Sequence, residues 1–308
     1  MNNFNTNIKT DDVIKQIEAE NQKKNFVTFD VRNYLNTKLN PNETSKTLTI
    51  RLLPSTPEGG FPFQKVHMHS IKVNREVSSS GWKTLPCLVE NGFEEQCPLC
   101  ELSKEAFRME TLATSDSEKK KYHEIATSNR ARTMYIVRCI ERGHESDGVK
   151  FWLMSGAKDG PYAKIMSVWT TRYNKALKKG ETMNIFDLNE GRDLEITIKR
   201  STDGKNVYSV VDDDDNSPLT TDYELGMSWI NDTKKWTDVY KVKPYEYMEI
   251  LSSGDIPEFD KQQNKYVGRL AKQEADDGTE EPMEHEEMPE YDGHTTAVNP
   301  NYEDDLPY

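Results

Sequence analysis

The chain has 308 residues, of which 34% are hydrophobic and 30% charged, enough for one large or two smaller domains around a modest core. No run approaches the roughly 18 apolar residues that cross a bilayer, and the opening MNNFNTNIKTDD lacks the apolar stretch of a secretory signal, so a cytoplasmic protein without membrane association is expected. The net charge of −13 argues against a polyanion-binding surface only until it is located: residues 271–308 carry thirteen acidic side chains against Lys272 alone, which leaves residues 1–270 at −1.

In chain order, residues 1–25 read as an arm. Thr10-Asp11-Asp12 supplies an N-cap with acids in the first turn, and Val13, Ile14 and Ile17 follow at helical spacing. So little apolar surface suits docking onto a neighbouring copy or onto the rest of the chain. From residue 26 the pattern turns to strands. Thr47–Leu53 and Val66–Val73 alternate in the manner of half-buried β-structure, and Met134–Ile140, Val149–Met154, Leu194–Arg200 and Asn206–Val211 read as strands bracketing turns. Met134–Met154 reads as one hairpin, and Asp203-Gly204 as the turn of a second. Tyr240–Lys243 is expected to add a closing strand. Helices are expected over about 98–113, 117–129 and 172–179. The fold class is therefore mainly β with inserted helices (α+β), a small barrel with insertions over residues 26–255. Residues 256–308 read as a linker and an acidic C-terminal tail whose composition favours disorder.

The sharpest local pattern is Cys87, nine intervening residues, then Cys97-Pro98-Leu99-Cys100, with His67 and His69 upstream. A Cys-x-x-Cys turn running into a helix offers two thiolates to one ion, and the helix dipole favours the ionised sulfurs. Cys87 and one histidine would complete a closed, structural, tetrahedral Zn²⁺ site. His67 and His69 are two apart on a strand and share a face, so either could serve. Cys139 falls within a strand and reads as core.

Sequence-tolerant binding of single strands needs cations for phosphates and flat rings for bases. Several stretches interleave the two: Trp82 and Lys83; Lys121 and Tyr122; Arg130, Arg132, Tyr135 and Arg138; Phe151 and Trp152; Tyr162 and Lys164; Arg172 and Tyr173. Trp169 reads as core. The chain shows no phosphate loop, nucleophile elbow or His-Glu-x-x-His, and Asp212–Asp215 reads as a solvated turn, so no enzyme is expected. The alternative is a zinc-containing module that binds duplex DNA or a protein partner. The tail ends Tyr302-Glu303-Asp304-Asp305-Leu306-Pro307-Tyr308, carboxylates with an aromatic tip that can imitate a single strand and compete for its groove.

Three features together resemble the single-stranded DNA-binding (helix-destabilising) proteins of T4-like phages. These are Arg51-Leu52-Leu53-Pro54 before a Pro-rich turn, Trp82 five residues before Cys87, and the Cys87/Cys97/Cys100 spacing. The layout of arm, zinc-bearing core and acidic tail extends the resemblance over most of the chain. It implies an OB-fold core with a zinc-binding subdomain at about 61–113, one structural Zn²⁺, and cooperative coating of single-stranded DNA by self-association. It also implies roles in phage replication, recombination and repair, partners recruited through the tail, and the host cytoplasm as the compartment. Two departures stand out. The histidines lie further from Cys87 than in the family, which implies a longer hairpin around Ser78–Gly81 and favours His69, the nearer of the two, as the ligand. The arm lacks the family's compact basic patch followed by Ser-Thr.

Overall fold

β1 (Ser45–Leu53) shows how the strands earn their places. Its first half alternates exposed Thr47 with buried Leu48; its second half is buried throughout, because both faces of the sheet are covered there. Leu52 joins one hydrophobic cluster and Leu53 another. The computed structural model describes residues 31–40, 42–202 and 204–269. Residues 32–269 fall in one compact unit; the proposed arm and residues 270–308 of the proposed tail lie outside the described residues.

The main sheet is antiparallel and contains β1, β2 (Phe63–Lys72), β3 (Trp82–Pro86), β4 (Arg132–Glu141), β5 (Lys150–Ser155), β6 (Leu194–Arg200) and β7 (Asn206–Asp212). Its order is β3-β2-β4-β1-β6-β7, with β5 also on β4. β1 and β2 follow each other along one edge of β4, Leu53 opposite Arg138 and Phe63 opposite Val137, while β5 occupies the other edge. Gly204 turns β6 into β7 at φ +81°, a conformation costly for any residue with a Cβ. Among the described residues no ladder joins the two ends of this order. The architecture is thus a mixed α+β fold built on an antiparallel sheet.

Helices cover both faces. α1 (Pro98–Leu112) and α2 (Asp116–Asn129) form a helical hairpin, and Ser115 starts α2 through a capping box with Glu118. α3 (Pro161–Leu177) places Ile165 against Leu52, Trp152 and Ile196 on one face. On the other face, α4 (Tyr223–Ile230) and α5 (Trp236–Val239) bring Trp229 and Trp236 against Leu53, Ile136 and Phe151.

Three expectations change. α3 begins at Pro161, eleven residues before Arg172, because Pro161 occupies the first helical turn, where it lacks no needed donor. Tyr240–Lys243 is no strand: Tyr240 is buried beside α5, and Lys243 lies over the Tyr247 ring at 5.0 Å. Regular structure also runs past residue 255. α6 (Tyr245–Ser252) leads into a hairpin of β8 (Ile256–Asp260) and β9 (Lys265–Arg269), whose Tyr266 meets Tyr247 edge-on at 5.0 Å. No helix among the described residues is long and apolar enough to cross a membrane.

Candidate metal centre and aromatic cleft

The β2–β3 hairpin sets His69 opposite Leu85, and the ladder contact continues as Cys87 N donates to His67 O at 2.9 Å. His69 and Cys87 therefore approach one another two residues out of register. Cys97 is the N-cap of α1, and Cys100 lies in its first turn. The ligand atoms of His69, Cys87, Cys97 and Cys100 all fall within 4.8 Å of one another. His69 Nε2 is 3.3 Å from Cys97 Sγ and 3.7 Å from Cys100 Sγ, and Cys87 Sγ is 3.4 Å from Cys100 Sγ. No disulfide forms. The four side chains make a candidate site for a single metal ion.

Neighbouring groups prepare it. The Asn129 carbonyl, at the end of α2, accepts from His69 Nδ1 at 2.7 Å, which turns Nε2 toward the sulfurs. The Asn91 side chain accepts from His67 N at 2.9 Å and donates to His67 O and Cys87 O at 2.7 and 2.8 Å, pinning the turn behind Cys87. Burial disfavours the His69 imidazolium, but the adjoining Cys87 and Cys97 more than offset this and raise its pKa to about 9. Hydrogen bonds with Cys100 and Cys87 lower the Cys97 pKa, while hydrogen bonds with Cys87 and Cys97 raise that of Cys100. Three packed sulfurs cannot all ionise unaided; a bound dication removes that conflict. The quartet closes without His67. His67→Gln is expected to retain one metal per chain and His69→Gln to lose it, as elemental analysis of the purified variants would show.

The interleaved cations and rings do not share one surface. Arg138 is 3% exposed and donates to the carbonyls of Trp229 at 3.0 Å and Asp232 at 2.8 Å. Phe151 and Trp152, consecutive on β5, point into opposite hydrophobic clusters. These three belong to the core and leave the set of surface contacts; aromatics on a strand covered on both faces are packing residues. Arg172 pairs with Asp212, Nε–Oδ1 2.9 Å, and Arg192 pairs with the same carboxylate at 3.1 Å. Asp212 is accordingly buried, and only the rest of the 212–215 run is a solvated turn. Trp82 and Lys83 are half-buried on β3; Lys121 is exposed and Tyr122 half-buried on α2. Arg130 is exposed, and Arg132 is half-buried, reaching Thr127 O at 3.4 Å. Lys164 is half-buried near Asp159 at 3.8 Å. Cys139 is buried as expected, and burial raises its thiol pKa.

The remaining aromatics do converge. Tyr135 and Tyr162 stack at 3.6 Å, Tyr162 meets Phe63 at 5.2 Å, and Phe63 meets Phe61 at 5.3 Å and Phe186 at 5.7 Å. Trp169 lies parallel to Phe186 at 6.5 Å and to Tyr173 at 5.2 Å. Seven rings thus form one row, from β4 across β2 to α3 and the loop beyond it. Phe61, 51% exposed, and Tyr173, 38% exposed, open it to solvent at a cleft of about 570 Å³ that Trp169 and Phe186 also line. Trp169 packs against the core as expected but is also cleft wall. Phe61, Phe63 and Phe186 escaped the sequence reading, which sought rings beside cations; Phe61-Pro62-Phe63 directly after a Gly-Gly turn was the available signal. The Arg51-Leu52-Leu53-Pro54 stretch supports the same place. Arg51, fully buried, holds Asp193 Oδ1 at 3.1 Å and the carbonyls of Asp187 and Ser217 behind the cleft, and Pro54 lines it. Compared with known proteins, the chain matches no family model and no curated protein.

Proposed function

We propose that this chain binds single-stranded DNA with little regard to sequence, through the aromatic cleft, around a core stabilised by one structural Zn²⁺. The observation that carries the reading is the row of seven rings with Phe61 and Tyr173 exposed at a cleft. Unstacked bases supply flat apolar faces, which a duplex keeps covered. Lys175, Lys178 and Lys179, all exposed, lie in sequence between the cleft residues Tyr173 and Thr182 and suit the phosphates. The OB-fold, phage and replication assignments rest on the resemblance to helix-destabilising proteins. Trp82, Lys83, Lys121, Tyr122, Arg130 and Arg132 extend the proposed surface over β3, α2 and the start of β4.

Zinc fits the donor set. Metal–sulfur bonds of about 2.3 Å place tetrahedral sulfurs about 3.8 Å apart, close to the spacing of this quartet, and three thiolates with one imidazole suit a borderline-soft ion. Four protein ligands leave no open position, so the role is structural. The ion would tie β2, the Cys87 turn and α1 together.

If the cleft receives bases, Phe61→Ala and Tyr173→Ala should each weaken oligo(dT) binding about tenfold, in line with about 1–3 kcal/mol for each stacked base. Fluorescence anisotropy would measure this, and unchanged affinity in the double variant removes the cleft from the binding surface. Acidic residues 271–308 are proposed to compete with the DNA phosphates for the lysines beside the cleft and to recruit replication proteins once displaced. Removing them should tighten DNA binding, most at low salt; equal or weaker binding would refute the competition.

A further inference from the structure

The charged groups lining the cleft are of one sign. Asp187, Glu190, Asn184 and Asn216 line it, and among the described residues no lysine or arginine does. Both amide oxygens are engaged: Asn184 Oδ1 accepts from Phe186 N at 3.1 Å, and Asn216 Oδ1 accepts from Arg192 Nε at 2.8 Å. Asp187 Oδ1 accepts from Asn189 N and Glu190 N at 2.8 and 2.9 Å, closing the turn that presents Glu190. The Glu190 side chain is exposed, and its carboxylate meets no donor or cation among the described residues. Such a cleft repels a phosphate. It suits a flat ring whose polar edge donates.

We propose that the cleft prefers guanine among the bases of a single strand, with Glu190 as the specificity-determining acceptor. The inference rests on the single-strand reading above and adds base selectivity at one position. Guanine carries N1–H and an N2 amino group side by side, so one carboxylate takes two parallel, charge-assisted hydrogen bonds. Adenine and cytosine place one amino donor beside an acceptor nitrogen. Thymine flanks its single N3–H with two carbonyls that face the carboxylate unfavourably. Phe61, Trp169, Tyr173 and Phe186 hold the ring whichever base enters, so tolerance of sequence persists with a local bias.

The test uses the full chain and fluorescently labelled dT12, the same strand with one central guanine, and the same strand with hypoxanthine there. Hypoxanthine keeps N1–H and lacks the N2 amino group. The guanine strand should bind about tenfold tighter than dT12, as expected for one bidentate contact, with hypoxanthine between them. Glu190→Gln should abolish that gap. Tight but equal binding of all three strands overturns the base preference and leaves the single-strand reading intact. Failure to bind any strand overturns both, and a guanine advantage that survives Glu190→Gln overturns the assignment to Glu190.

Discussion

Cys97→Ser is expected to lose the bound metal and to lower the thermal midpoint by about 8–16 °C. Cys97 sits 3.3 Å from His69 Nε2 at the head of α1, so its loss opens the quartet and detaches the helix from the β2–β3 hairpin. An ion held at a thousandfold above its dissociation constant contributes about 4 kcal/mol, and a domain of this size shifts about 2–4 °C per kcal/mol. The damage should spread beyond the ligands. Cys87 and Cys97 share a hydrophobic cluster with Leu85, Leu99, Tyr247, Met248 and Leu251, so α6 and the β8–β9 hairpin would rest partly on an ion held by the quartet. Hydrogen exchange over residues 245–269 should rise in the variant or after chelation. A Cys97→Ser protein with unaltered metal content and midpoint would refute the assignment of the four ligands.

Arg138→Met is expected to cost about 3–4 kcal/mol of stability and to leave the proposed DNA-binding surface in place. The guanidinium donates to the carbonyls of Trp229, Ile230 and Asp232 at 3.0, 3.4 and 2.8 Å, and to Pro54 O at 3.4 Å. Methionine approximates the stem but strands those acceptors in the interior, and each buried unpaired group costs about 1–3 kcal/mol. Burial lowers the Arg138 pKa, partly offset by Asp232 and Glu58. Chemical denaturation would give the stability change. A specific loss of single-strand affinity at full stability would instead return Arg138 to the DNA interface.

How far the sequence could be read follows from the range of each signal. Alternation and flanking turns make six strands legible, β6 at both its ends, where buried Leu194, Ile196 and Ile198 alternate with more exposed neighbours. The Cys-x-x-Cys turn and the upstream histidine were legible because a four-ligand site constrains spacing. His69 was favoured over His67 for its nearness to the hairpin; the structure adds the Asn129 carbonyl that orients its ring. What escaped is set by distant partners. Lys243 and Tyr247 meet in a ring contact, so Tyr240–Lys243 has no sheet edge to join. β8 and β9 are five residues each and polar, stabilised through Tyr266 and Tyr247 rather than by alternation of their own. Arg138, Phe151 and Trp152 read as contacts because neighbours in sequence were taken for neighbours on a surface, whereas the pleat sends consecutive residues to opposite covered faces. The ring row joins residues from 61 to 186, which no local spacing could reveal.

One titration tests the central proposal most directly: fluorescent oligo(dT) against a duplex of matched length, with the protein before and after chelation. Single strands should bind much more tightly than duplex, the affinity should fall with salt as phosphate contacts are screened, and chelation should weaken binding together with stability. Preference for the duplex, or hydrolysis of either substrate, would contradict it.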